Sequence, residues 1–344
     1  VSESAATRAD ASRLPLPDAI RGLAALAVAL HHFGNHLPEL PDALAAVARW
    51  GWLGVEAFFV LSGFVIARLL LRARPEPVVF LGRRLLRLLP PYLVVVGCVV
   101  LLDLASSMAP AYRGAPFATP SLAELACHAA YACDLVGIEW NNPVYWSLAI
   151  EVRFYVLALL VALALHVGSL PLRLGAVLAL GLAGLALGED WFTRYLPLFA
   201  LGAAAAVWQI GRLQRHIAGP VLALALGWSA WMLSLAPWLV GAGVALALAF
   251  AARRSAPPVL LALGAVSYSL YLVHVPLGGR VVNLLGRLDP GPWASIGVVV
   301  SALAVSGVGA WLLWRGVERP AIAASRRLGT VRNPSGVRAV AEGG

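Results

Sequence analysis

Apolar runs dominate this 344-residue chain, and polar residues are confined to the short breaks between them. A helix needs about 20 mostly apolar residues to cross the hydrocarbon core of a bilayer. Ten runs meet or approach that length: 19–37, 52–71, 86–104, 143–166, 172–188, 194–210, 219–235, 237–252, 258–277 and 293–314. The pattern predicts an all-α, polytopic transmembrane helix bundle of about ten spans. The longest connection, 105–142, carries Pro110, Pro116 and Pro120 ahead of an apolar stretch at 121–136, which reads as an interfacial or partly inserted helix.

The ends differ from this body. Residues 1–17 form a polar N-terminal tail without the hydrophobic core of a signal peptide, so the first apolar run reads as a retained helix. Residues 321–344 form a basic C-terminal tail expected to be disordered. The membrane domain is then 18–320.

Composition strengthens the membrane reading. Hydrophobic residues make up 60% of the chain and charged residues 12%, whereas soluble domains carry about 25% charged residues. So few charges cannot cover a water-facing surface of this size. They suit a lipid-facing one, where helices satisfy their own backbone.

All 26 basic residues are arginine and the net charge is +9. These arginines lie between apolar runs and form no continuous basic domain, which argues against a nucleic-acid partner. They sort by side instead. With the N-terminus in the cytoplasm, nineteen fall on the inner side and five (Arg49, Arg113, Arg194, Arg280 and Arg287) on the outer. That asymmetry predicts both termini in the cytoplasm.

The cysteines change little. Cys98 lies in an apolar run and reads as a small core residue. Cys127 and Cys133 share the outer segment, but six positions apart on one helix is poor geometry for a disulfide. No Cys/His spacing resembles a metal site.

Charges within the spans are candidates for chemistry, because each is costly there. Arg21 and His32 are eleven residues apart on the first helix. At about 100° per residue both lie on one face, separated by about 16 Å along the axis. His31 points about 100° away from His32. Glu151 and Arg153 occupy the fourth span. Glu151 and His32 lie at comparable depth, so a meeting between them is geometrically open; the alternative is that Glu151 pairs with an arginine and only holds helices together. His32 is likewise open to two readings, a proton acceptor near neutral pH or a hydrogen-bonding packing residue.

Two further groups stand out. Arg83, Arg84 and Arg87 form a cationic edge at the cytoplasmic surface, and arginine pairs well with phosphate oxygens. The ligand is a phosphorylated donor such as coenzyme A or a lipid headgroup, unless the arginines only set topology. Tyr268, Tyr271 and His274 follow one another at spacings of three along one face of the ninth span, a pattern that also serves packing.

The same groups carry a resemblance. DAIRGLAALAVALHHF at 18–33, FFVLSGFVIA at 58–67, FLGRRLLRLLPPYL at 80–93, YWSLAIEVRFY at 145–155, LGAVSYSLYLVHVP at 263–276 and VERP at 317–320 occur in the order seen in the acyltransferase-3 family of membrane O-acyltransferases, which the chain resembles over about 18–320. The middle, 168–256, departs most from that pattern.

The resemblance implies a bacterial inner-membrane enzyme. It would move an acyl group, usually acetyl, from acyl-CoA to a hydroxyl of a carbohydrate, or of a macrolide or other secondary metabolite. It implies that His32 and Arg21 form the family's essential pair, and Glu151 would then orient the imidazole or bind the acceptor. In the mechanism this points to, Arg83, Arg84 and Arg87 hold the donor's diphosphate and His32 is the general base. Ser147, Tyr268 and Tyr271 are candidate donors to the developing oxyanion, and His274 is a weaker substrate-site candidate. No metal or resident cofactor is expected. The rival classes are a proton-coupled transporter or flippase and a non-catalytic membrane scaffold.

Overall fold

The computed structural model describes residues 14–37, 39–73, 76–109, 116–166, 191–210 and 215–328. The expected span 172–188 and most of both tails lie outside them. Among the described residues the chain is all-α. Four continuous helices are long and apolar enough to cross a membrane: Leu53–Arg72, Pro77–Ser107, Pro258–Leu288 and Pro292–Arg327. Gly219–Met232 and Leu235–Ala251 are shorter apolar helices.

The helices are α1 (Pro15–Gly34), α2 (Asp42–Trp50), α3 (Leu53–Ala73), α4 (Pro77–Ser107), α5 (Leu122–Ala129), α6 (Tyr145–His166), α7 (Trp191–Ile210), α8 (Arg215–Met232), α9 (Leu235–Ala251), α10 (Pro258–Val273), α11 (Arg280–Leu285), α12 (Pro292–Leu313) and α13 (Arg319–Arg327). Large apolar side chains face outward around the bundle. Leu101 is 65% exposed, Leu224 73%, Phe250 66% and Val308 61%. An apolar surface of that extent belongs in lipid. Cys98 is on it, exposed, and is not the core residue expected; the stripe of α4 that packs inward is Tyr92, Val95, Val96 and Val99.

Several helices outrun their sequence-predicted bounds. α4 has 31 residues, or about 46 Å, against a hydrocarbon core of about 30 Å. Pro77 starts it in the first turn, where a missing N–H costs nothing. The basic block 83–87 is therefore the first turns of the spanning helix.

Near the other end, two π-turns interrupt the regular ladder, at His274–Gly279 and Trp314–Glu318. Pro276 lies within the first and Pro320 just beyond the second. A proline has no N–H for the ladder, and a one-turn widening absorbs the loss. The helices then continue past 277 and 314. Residues 321–327, expected as disordered tail, are helical, and α13 packs on α4.

Glycine contacts set two helix crossings. Gly22 of α1 lies against Gly264 of α10, where a Cβ on Gly264 would meet the Asp18 carbonyl oxygen. Gly63 of α3 and Gly202 of α7 make the same kind of approach. Small residues let membrane helices close on one another, and here they bring α1, α3 and α10 around one interior.

The segment between α4 and α6 is pinned inward. Ser121 and Glu124 form a capping box that starts α5. The helix ends at Ala129, Tyr131 adopts φ +53°, and the chain doubles back so that Cys127 and Cys133 form a disulfide with Cα atoms 4.6 Å apart. The spacing objection fails because the two cysteines do not share a helix. Asp134 then takes Arg153 of α6 at 2.7 Å, so Arg153 is not the partner of Glu151.

Candidate functional site

Two cavities enter the bundle from its opposite ends. The first holds about 100 Å³, room for several water molecules. Arg21, Arg84, Arg87, Glu151, Tyr155 and Tyr268 line it, with Ser147 and Tyr271 at its deeper end. The second is lined by His32, His36, Asp103, Asn141, Asn142 and Arg280, among others.

The first cavity is arginine-rich because α1 and α4 both begin nearby. Arg21 lies one turn into α1 and keeps Asp18 at 3.5 Å. Arg84 lies over the rings of Phe80 and Tyr155, at 6.0 and 5.9 Å from their centroids. Arg83 is one residue earlier and therefore faces about 100° away. It donates to the Leu328 carbonyl at 2.7 and 3.0 Å and does not line the cavity. The expected triple cluster thus splits into Arg84 and Arg87 inside, joined by Arg21, with Arg83 outside.

Glu151 is held by two hydroxyls on the same carboxylate oxygen. Ser62 donates at 2.7 Å and Tyr155 at 2.5 Å. It lies within electrostatic reach of Arg21 and Arg84. Glu151 and His32 line different cavities, so the His–Glu meeting that the sequence left open does not form. The helix positions allowed it; the neighbours of α6 decide otherwise.

A row of side chains separates the cavities. Ser147 and Tyr271 share a 2.6 Å hydrogen bond, and Tyr271 also donates to the Val144 carbonyl at 3.2 Å. The ring of His274 stands 5.8 Å from Tyr271 and 5.2 Å from His32. His274 is fully buried, its Nδ1 3.2 Å from the Leu270 carbonyl and its Nε2 without a partner. Tyr268 bonds the Leu88 carbonyl at 2.8 Å, tying α10 to α4. His31 points elsewhere, to the Ala48 carbonyl at 2.8 Å.

Three residues escaped the reading of the sequence. Ser62 and Tyr155 orient Glu151; the i, i+4 spacing of Glu151 and Tyr155 was a usable signal. Glu318, 2% exposed, accepts from Ser269 at 2.6 Å and lies within electrostatic reach of Arg87 and Arg21. It belongs to the VERP block, whose glutamate is otherwise an unexplained charge in an apolar helix. Among the described residues no cluster of side chains could hold a metal ion.

The segment between α4 and α6 carries its own buried histidine. His128 meets the Tyr92 hydroxyl at 2.9 Å, and burial holds its imidazole below the ordinary value of 6.5.

Comparison with known proteins shows the family. Residues 15–315 match the acyltransferase-3 family model, described as an acyltransferase domain. The chain is 27% identical to peptidoglycan O-acetyltransferase OatA of Listeria monocytogenes, over 91% of the chain and 56% of that protein. It is 26% identical to acyltransferase MdmB of Streptomyces mycarofaciens, over 90% of the chain and 91% of MdmB. A putative membrane-bound transacylase, BcsY of Komagataeibacter xylinus, is 30% identical over 43% of the chain and 37% of its own length. The chain thus spans about half of OatA and nearly all of MdmB. No solved structure matches it. With its family model covering nearly every described helix, this polytopic membrane protein belongs to the acyltransferase-3 family.

Proposed function

We propose that the protein is a membrane O-acyltransferase that moves an acyl group, acetyl in the first instance, from acyl-CoA to a hydroxyl of a carbohydrate. The observation that carries this is the shared wall. Ser147 and Tyr271, which line the cavity with three arginines, connect through the buried ring of His274 to His32, which lines the other. One side suits a phosphorylated donor, the other a base and a hydroxyl.

Arg84 and Arg87, with Arg21, would pair with the donor's phosphate oxygens. The thioester end would extend toward Ser147 and Tyr271. His32 would take the acceptor's hydroxyl proton while the oxygen bonds to the thioester carbonyl carbon. The carbon–sulfur bond then breaks and the CoA thiolate leaves, to be reprotonated. Tyr271 and Ser147 would donate to the carbonyl oxygen as it gains charge. Glu151, fixed by Ser62 and Tyr155, would hold Arg21 and Arg84 in place.

This reading carries its topology with it: about ten spans in a bacterial inner membrane, both termini cytoplasmic, the arginine cavity open inward and the His32 cavity outward. The arginine distribution supports it. A carbohydrate acceptor draws support from the similarity to a peptidoglycan O-acetyltransferase.

The test is the purified protein in detergent beside its His32→Ala variant. Both should bind acetyl-CoA, and only the wild type should hydrolyse it slowly or transfer its acetyl group. Full transfer by the variant would remove His32 from the chemistry. Failure of the folded wild type to bind the donor would point to a carrier instead.

A further inference from the structure

Besides His32, the outward cavity holds Asp103, Asn141, Asn142, Arg280 and Asn283. A third cavity adjoins it through Asp103 and Asn141, and adds Glu124, His128 and Glu139. The charges of the His32 cavity are already matched. Arg280 binds Asp103 at 2.7 Å and reaches Ser106 at 3.4 Å. Asn142 is also committed, donating to the Leu272 carbonyl and accepting from the Val144 amide.

What remains unmatched is neutral in demand. Asn141 Oδ1 and Arg280 Nε are buried without a partner, and so is His274 Nε2 just behind His32. Two of the seven such atoms among the described residues belong to side chains that line this cavity, and a third lies just behind His32. A buried polar atom left unpaired costs about 1–3 kcal/mol, which a bound ligand can recover. The amide oxygen needs a donor and the guanidinium N–H needs an acceptor. A hydroxyl is both, and neighbouring hydroxyls on one ring can serve the two at once.

The adjoining mouth disfavours anions. Glu124 and Glu139 add two carboxylates there, and no further arginine lines it among the described residues. Building on the acyltransferase reading, we infer that this outward pair of cavities is the acceptor site, and that it takes a neutral polyhydroxylated ring and rejects anionic sugars. Asn141 and Arg280 grip hydroxyls beside the one presented to His32. Glu139 and Glu124 repel a carboxylated ring before it enters.

The experiment follows CoA thiol release from acetyl-CoA by the purified full chain, with methyl glucoside or glucuronic acid added. Methyl glucoside should accelerate release saturably, and glucuronic acid should reach about a tenth of its kcat/KM or less. Asn141→Ala should raise the methyl glucoside KM about tenfold and leave the acetyl-CoA KM where it was. Asn283→Ala, at an exposed position of the same cavity, is the second variant should Asn141→Ala not fold, and should shift the same KM. Glu139→Gln should raise kcat/KM for glucuronic acid. Equal use of the two sugars, an unchanged glucoside KM in both asparagine variants, or thioester hydrolysis that no glucoside accelerates would each overturn the inference. Absence of hydrolysis with and without sugar would instead remove the acyltransferase reading beneath it.

Discussion

The imidazole centroids of His32 and His274 stand 5.2 Å apart, one on α1 and the other at the start of a π-turn after α10. His274 therefore stands between His32 and Tyr271, and through Tyr271 it adjoins the arginine cavity. Its partnerless Nε2 is costly unless the site uses it. Replacing His274 with Phe keeps a ring of similar bulk and removes both nitrogens. The expected result is a kcat lowered about a hundredfold with an unchanged acetyl-CoA KM and normal detergent elution. A variant with wild-type kcat would reduce His274 to a packing residue.

The arginines of α4 divide by direction. Arg84→Ala and Arg87→Ala should each raise the donor KM by about 10- to 100-fold, the loss expected for a charge-assisted hydrogen bond. Arg83→Ala should leave it within about twofold, because that side chain is spent on the Leu328 carbonyl. Arg84→Lys should recover little, since an ammonium reproduces neither the planar fork nor its stacking over Phe80 and Tyr155. Titrations of donor dependence across the four variants check this. A shift in Arg83→Ala equal to the other two would return Arg83 to the donor site.

How much was legible follows from where each residue takes its meaning. The spacing of Arg21 and His32 is a property of one helix, and their common face could be read directly. The division of Arg83 from Arg84 is also local, since adjacent residues point about 100° apart, but which direction faces inward depends on what packs there. Glu151 shows the limit. One partner, Tyr155, is four positions along the same helix, but the other is Ser62, 89 positions away, and only the crossing of α3 with α6 selects it over His32 or Arg153. The disulfide was obscured by assuming a continuous helix across 121–136, when the chain reverses after Ala129. The π-turn at His274 had a visible cause in Pro276, while its use as a separator between cavities is tertiary.

The α1–α10 crossing gives a prediction about stability. A Cβ at Gly264 would meet backbone, the carbonyl of Asp18, which cannot swing aside as a side chain would. Gly264→Ala should cost about 1–3 kcal/mol and displace the first two turns of α1, the second of which carries Arg21. Gly243→Ala, where a Cβ meets nothing within 4 Å, should be close to neutral. Thermal unfolding in detergent compares the two, and donor KM should rise only for Gly264→Ala. Equal melting temperatures would show that α1 and α10 can part without loss.

The segment between α4 and α6 should be sensitive to acid. Burial holds the folded His128 imidazole below its ordinary value of 6.5, against a smaller opposing pull from Glu124. The unfolded segment then binds a proton more readily than the folded one. The stabilisation is full above the unfolded value and is lost as pH falls from there toward the folded one. The local reporter is the Cys127–Cys133 disulfide, which a phosphine reductant reaches when the segment opens. Reduction should quicken as pH falls below the ordinary imidazole value of 6.5, and His128→Gln should flatten that dependence while keeping a polar partner for Tyr92. If the wild-type rate is the same across the range, His128 charges in place without cost, and the contact with Tyr92 does not depend on a neutral ring.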